Sequence, residues 1–254
     1  MRIEVAGSTH VGMKRGHNED NYLVLPDERL FCVADGMGGH SSGEIASKIA
    51  VDEMAEFFRL TSGDQDVTWP YKMDKSRNYD ENRLATGIKL ANARIFERSN
   101  AEPRYKGMGT TLVSAHFTPS AVYVGHVGDS RVYLFRAGQL KQLTEDHSLL
   151  NDYLKAKKLT PEEIENFPHK NVIVRALGMK DTVQVDVARV EPREGDVFLL
   201  CSDGLSGMVS DAEMQATLQR TADLEKACAQ LIEQANAAGG TDNITCVLAR
   251  YLAK

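Results

Sequence analysis

The stretch Leu30-Phe31-Cys32-Val33-Ala34-Asp35-Gly36 holds the main clue to the fold. Its apolar run is too short for a helix and reads as a buried strand that ends in a carboxylate and a glycine. Two further stretches repeat the design. Asp196–Gly204, DVFLLCSDG, ends an apolar run in Asp203-Gly204, and Gly239–Leu248, GGTDNITCVL, begins one with Asp242-Asn243. In each, an acid stands where a buried strand meets a loop. Burying an unpaired carboxylate costs several kcal/mol or forces it to take a proton, so these acids need partners. Asp before Gly is ordinary turn chemistry. A hard divalent cation such as magnesium or manganese, which prefers oxygen ligands, is the other partner that would satisfy them. Asp129 in Val127–Arg131, VGDSR, and the pair Glu19-Asp20 enlarge the acidic set. Arg15 lies just ahead of that pair, where a guanidinium can grip a phosphate with two parallel hydrogen bonds or simply pair with its acidic neighbours. By themselves these residues leave both readings open.

Outward from this stretch, the apolar runs are short and strand-like. Strands are expected near Ile3–Ala6, Asn21–Leu25, Leu30–Ala34, Thr111–Thr118, Ala121–Val127, Arg131–Arg136, Val183–Arg189, Asp196–Cys201 and Ile244–Tyr251. Thr118-Pro119-Ser120 reads as a hairpin turn and VGDSR as a second tight turn. Helical periodicity marks Gly43–Arg59, Arg83–Ser99, Asp211–Leu218 and Leu224–Ala238, the last stopped by Gly239-Gly240; Thr160–Asn166 opens with Thr-Pro-Glu-Glu, a helix N-terminus. Strands come in adjacent runs with helices between, not in strict alternation. Antiparallel sheets with helices packed outside them are the expected α+β class. Thr61–Asn82 reads as a surface loop pinned by Trp69-Pro70-Tyr71, and Leu149–Val172 as a second long excursion of the kind that often serves as a lid.

The chain has 254 residues, 42% of them hydrophobic, and no Pro/Gly/Ser-rich linker, which points to one domain over residues 1–254. A net charge of -6 and the lack of a Lys/Arg-rich run argue against a nucleic-acid partner. No stretch approaches the ~20 apolar residues of a membrane span, and the N-terminus has no apolar signal core, so no membrane association and a cytoplasmic location are expected. Cys32, Cys201, Cys228 and Cys246 lack zinc-ligand spacing. Cys32, Cys201 and Cys246 sit in apolar runs and read as buried thiols.

Taken in order, Arg15–Asp20 (RxxNED), Asp35–Gly39 (DGMGG), Gly109–Thr111 (GTT), Val127–Arg131 (VGDSR), Ser202–Leu205 (SDGL) and Asp242-Asn243 resemble the type 2C, metal-dependent protein phosphatase family, over about Gly7 to Tyr251. The short DGMGG form resembles the stand-alone bacterial members. The resemblance implies a four-layer α-β-β-α sandwich with two central antiparallel sheets. It implies a serine/threonine phosphoprotein phosphatase, opposing a Hanks-type kinase and acting as a monomer. Two Mn2+ or Mg2+ ions, with a third, weaker one, would share a hydroxide that attacks phosphorus in line. By the same resemblance, Asp35 bridges the two metals, the Gly36 carbonyl ligates the second, and Asp203 and Asp242 complete the first. Asp129, with Asp203, matches the third site. Glu19 and Asp20 hold metal-bound waters, Arg15 binds the substrate phosphate, and Thr110, Thr111, Ser130 and Asn243 act as supports. Leu149–Val172 takes the place of the family's flap.

The sequence departs from some relatives at Met37, where they carry a histidine proposed to protonate the leaving alkoxide. His40 is a candidate donor or a loop histidine, while His17 and His147 read as structural. Lys155, Lys157 and Lys158 in the flap would either steer phosphopeptides or serve as surface charge. A nucleotide-binding reading of GMGGHSSGE fails because GxGxxG spacing is missing and Asp35 would repel a phosphate. A phosphoprotein-binding module without turnover would require loss of a ligand, and Asp35, Asp203 and Asp242 are all present. A phosphatase for an anti-sigma-factor antagonist would usually carry a sensor or membrane segment, and none is visible.

Overall fold

The computed structural model describes residues 1–38, 42–63, 69–156, 160, 163–164 and 172–253. Its strands form two antiparallel sheets. In one the order is β1 (Arg2–His10), β11 (Ile244–Leu252), β10 (Val197–Cys201), β7 (Arg131–Arg136) and β8 (Gln139–Gln142). In the other it is β2 (Asp20–Leu25), β3 (Leu30–Met37), β5 (Leu112–Phe117), β6 (Val122–Val127) and β9 (Asp186–Val190), with the two-residue β4 (Gly109–Thr110) on the end of β3. Helices α1 (Ser42–Leu60) and α2 (Tyr79–Ala101) lie on the outer face of the β3 sheet. The one-turn α4 (Asp203–Ser206), α5 (Asp211–Arg220) and α6 (Leu224–Ala237) follow β10, and α6 lies on the outer face of the other sheet. Helix α3 (Leu149–Ala156) opens the segment expected to be a flap.

Side chains that alternate along β3 explain the layering, because successive residues of a strand face opposite sides. Phe31 and Val33 enter the core between the sheets, and Leu30, Cys32 and Ala34 enter the core under α1 and α2. Both faces are covered, so the strand reads as an unbroken apolar run. Between the sheets, the Phe117 ring meets Phe31 edge-on at 5.6 Å and Phe198 of the opposite sheet at 5.2 Å. The four-layer α-β-β-α arrangement expected from the sequence is the one observed.

The differences from expectation have local causes. Helix α2 starts at Tyr79, four residues before Arg83, because Asn78 and Glu81 form a reciprocal capping box ahead of the first apolar residue. Strand β1 runs on to His10 because β11 pairs with it along its whole length. Strand β9 begins at Asp186, not Val183. β4 and β8 were not expected; they are short, and their pairing with β3 and β7 depends on the fold, not on local pattern. The Thr160–Asn166 helix falls mostly outside the described residues. Trp69 does pin its loop, packing 5.9 Å from Phe57 and 5.1 Å from Tyr79. The four cysteines are buried and free. No helix among the described residues is long and apolar enough to cross a membrane.

Candidate metal centre

Antiparallel pairing gathers the expected residues at one rim. The register sets Asp20 at the start of β2 opposite Asp35 near the end of β3. Leu112 at the start of β5 faces Val127, the last residue of β6, and the β6–β7 turn carries Asp129. Arg131 faces Cys201, and Cys201 faces Cys246, so Asp203 after β10 and Asp242 before β11 share that end of the second sheet. The loop from His10 to Glu19 leads from the end of β1 to the start of β2 and completes the rim.

Backbone and neutral side chains fix the acids from behind. The Asp35 N–H donates to Thr111 Oγ1 (3.1 Å), while its carbonyl accepts from the Thr110 hydroxyl (2.8 Å) and the Thr111 N–H (2.9 Å). Thr111 Oγ1 also shares a proton with Ser130 Oγ at 2.7 Å, tying Asp35 to the Asp129 turn. Asn243 clamps the Arg15 loop: its Oδ1 accepts from the Glu19 N–H at 2.8 Å, and its Nδ2 donates to the Val11 and His17 carbonyls at 2.9 and 3.0 Å. An ideal Cβ on Gly36 would fall 2.1 Å from the Gly43 carbonyl oxygen and 2.5 Å from that of Glu19, so only glycine fits between these backbones. Arg15 lies at the mouth, half-exposed, with Nη2 on Asp242 Oδ2 at 2.7 Å.

Three supports were not picked out from the sequence. The hydroxyls of Ser202 and Thr245 both donate to Asp20 Oδ2, at 2.8 and 2.7 Å, and Ser47 donates to the Glu19 carbonyl. Ser202 stands next to Asp203 in a quoted motif. Thr245 and Ser47 carry no signal, because each is a polar residue inside an otherwise apolar pattern.

The electrostatics of this rim are unfavourable as it stands. Burial, and then the charges of Asp20, Asp203, Asp129 and Asp242, push the Asp35 carboxyl well above the usual carboxylate range. Burial and Asp203 push Asp129 up to about 7. Burial raises Asp20 despite the hydroxyls of Thr245 and Ser202, and burial and Asp242 raise Asp203. Glu19 Oε1, Asp20 Oδ1, Asp129 Oδ1 and Asp203 Oδ1 are buried and accept no hydrogen bond from the described residues. Glu19 Oε1 has His17 Nε2 at 3.3 Å, an ion pair only while that ring is protonated. Orphaned buried acceptors are rare because each forfeits its hydration. Hard oxygen donors of one sign, converging in excess of the charge that Arg15 brings to the mouth, fit divalent cations such as Mn2+ or Mg2+. A cavity of about 260 Å³ opens beside Asp129 and Asp203.

A second group is less suited to a cation. His126, His147 and Asp186 bring ligand atoms within 4.8 Å of one another. The Gly128 N–H donates to His147 Nδ1 at 3.0 Å, which leaves the proton on Nε2, 3.0 Å from Asp186 Oδ2. Arg175 already supplies the positive charge, with Nη1 3.1 Å from Asp186 Oδ1 and 3.0 Å from His147 Nε2. His147 thus braces the Asp129 turn. Met37 is half-buried on the end of β3, and His40 lies outside the described residues, as do Lys157 and Lys158. Lys155 pairs with Glu145 at 3.1 Å, both exposed.

Known proteins share this fold. The family model described as protein phosphatase 2C matches residues 7–252. The serine/threonine phosphatase Stp of Listeria monocytogenes is 39% identical over 247 residues, 94% of this chain and 92% of that protein. The crystal structure of the Mycobacterium tuberculosis serine/threonine phosphatase PstP/Ppp matches with a TM-score of 0.86 at 34% identity, over 99% of this chain and 100% of that one. The catalytic domain of PstP in complex with two manganese ions matches with a TM-score of 0.81 at 34% identity, over 98% of each chain.

Proposed function

The chain belongs to the protein phosphatase 2C family, and on that premise we propose that it is a metal-dependent phosphatase that hydrolyses phosphoserine and phosphothreonine in proteins, opposing a serine/threonine kinase. The observation that carries this reading is the set of buried carboxylate oxygens at the rim without a hydrogen-bond donor. Asp35, the Gly36 carbonyl, Asp203 and Asp242 would hold two Mn2+ or Mg2+ ions, and Asp129 with Asp203 a weaker third. When bound, such a pair supplies an activated water and positive charge toward the phosphoryl oxygens. Glu19 and Asp20 would accept hydrogen bonds from metal-bound waters, and Asn243 holds Glu19 in place through its backbone.

Arg15 binds and orients the phosphoryl group. One of its nitrogens is on Asp242, and the remaining donors of its fork are available for phosphate oxygens. Met37 has no proton to give, so it does not protonate the leaving alkoxide. Each of the four cysteines is buried, which agrees with a reaction that needs no thiolate nucleophile.

The test is phosphate release from a phosphothreonine peptide and from p-nitrophenyl phosphate, with Mn2+, with Mg2+ and after chelation. Activity is expected only with metal, and Asp35→Asn is expected to abolish it. Turnover that survives both chelation and this substitution overturns the reading.

A further inference from the structure

Beside the acidic rim lies a groove that the metal chemistry does not use. A cavity of about 430 Å³ is walled by Met37, Val174, Met179 and Val183. It shares Val183 and Gln184 with a second cavity of about 150 Å³, which carries Lys72, Arg77 and Lys89. The two are neighbours, and the larger reaches Met37, the residue following Gly36.

The groove is built, not incidental. Leu177 exchanges backbone hydrogen bonds with Thr110 (2.9 and 3.2 Å), and the Thr110 hydroxyl is on the Asp35 carbonyl, so the groove wall is one residue removed from the metal rim. The turn that follows is held from below by Asn92 of α2, which is buried. Asn92 Oδ1 accepts the Gly178 N–H at 2.9 Å, and Nδ2 donates to the carbonyls of Lys180 and Asp181 at 3.1 and 3.2 Å. Gly178, at φ +84°, packs where a Cβ would fall 2.3 Å from Ile95 Cγ2. This rigid seat presents Met179, 54% exposed, and Val174, 46% exposed. Among the described residues nothing covers these apolar side chains, and exposed apolar groups placed together mark a binding surface.

Basic side chains line both cavities. Arg77 faces Asp74 at 3.7 Å, and Arg175 is committed to Asp186. Lys72, Lys89 and Lys180 form no ion pair among the described residues, on a chain whose net charge is -6. Lys180, beside the apolar side chains of the larger cavity, selects for negative charge in whatever lies there.

Resting on the phosphatase reading, we propose that this groove binds the substrate segment that flanks the phosphorylated residue, seating an apolar side chain against Val174 and Met179 and an acidic side chain at Lys180, which lines the same cavity. Sequence selectivity then comes from the groove, while the rim performs the hydrolysis.

The experiment compares phosphothreonine peptides that differ only in their flanks: apolar and acidic, alanine, or lysine. The apolar and acidic flank is expected to raise kcat/KM by about tenfold, the scale of one seated apolar group. Met179→Ser is expected to erase the apolar preference, and Lys180→Glu to reverse the acidic one. Both variants should turn over p-nitrophenyl phosphate within about twofold of the parent, since that substrate has no flank. Equal selectivity in parent and variants, with normal p-nitrophenyl phosphate turnover, overturns the groove and leaves the phosphatase reading intact. Absence of p-nitrophenyl phosphate turnover in the parent overturns both.

Discussion

Asp20 and Asp35 stand directly opposite each other across β2 and β3. Like charges in that position repel, since cross-strand side chains on one face sit about 5 Å apart. Stability is given up at this point of the fold to concentrate acceptors.

It follows that Asp35→Asn makes the metal-free protein more stable while destroying catalysis. Removing one charge from the raised cluster is worth on the order of 1 kcal/mol or more. Thermal unfolding in chelator should show Tm higher by roughly 2–4 °C. A fall in Tm would mean that the carboxylates are already neutralised within the protein.

The same cluster sets the pH dependence of the metal-free protein. An acid whose folded pKa is raised binds its proton more tightly when folded. Its stabilising effect is complete below the unfolded value of about 4 and is lost as pH rises through the folded value, about 7 for Asp129. Tm in chelator should therefore decline between pH 5 and pH 8, by roughly a few degrees, and excess Mn2+ should flatten or reverse that slope. Equal slopes with and without metal would contradict the site.

Ser202→Ala and Thr245→Val each remove one hydroxyl from Asp20 Oδ2. Partners that orient a site of this kind typically affect metal affinity about 10–100-fold. The Mn2+ concentration for half-maximal activity should rise accordingly, with little change in activity at saturating metal. Unchanged metal dependence would make these hydroxyls packing groups only.

For Arg15→Ala the expectation separates binding from stability. Its ion pair with Asp242 is half-exposed and worth less than about 1 kcal/mol. Tm should hardly move, while kcat/KM for p-nitrophenyl phosphate should drop by roughly tenfold or more, the scale of a lost charge-assisted contact. Unaltered kcat/KM would place the phosphate elsewhere.

At Gly36 even alanine should not be tolerated, because its Cβ would overlap two backbone carbonyl oxygens. Gly36→Ala should lower Tm sharply or prevent soluble expression, with a cost of about 3 kcal/mol or more, as in overpacked cores. An active, fully stable Gly36→Ala protein would show that Gly43 and Glu19 can retreat.

How far the sequence alone reached is visible residue by residue. Leu30–Ala34, Arg131–Arg136 and Ile244–Tyr251 announce their strands because each run is apolar and bounded by an acid, a turn or a glycine. Asp35, Asp203 and Asp242 announce themselves by standing at the ends of such runs. Ser202, Thr245 and Ser47 do not, since a hydroxyl inside a buried strand or helix looks the same whether it caps a carboxylate or satisfies a neighbour. Their partners are 182, 225 and 28 residues away in the chain. The groove was hidden for a similar reason. Val174, Met179 and Lys180 line one cavity only once Asn92 has fixed the Gly178 turn against α2.

Strand β1 pairs with β11, joining Arg2 to Leu252 and His10 to Ile244. Closing so long a loop delays the reward for making the contact, and topologies of this kind fold slowly. The same closure brings Asp242 and Asn243 to Arg15 and Glu19. The acidic rim is consequently complete only once β11 has docked, and until then the acids of β2 and β3 stand without Asp242 at Arg15 and Asn243 at Glu19.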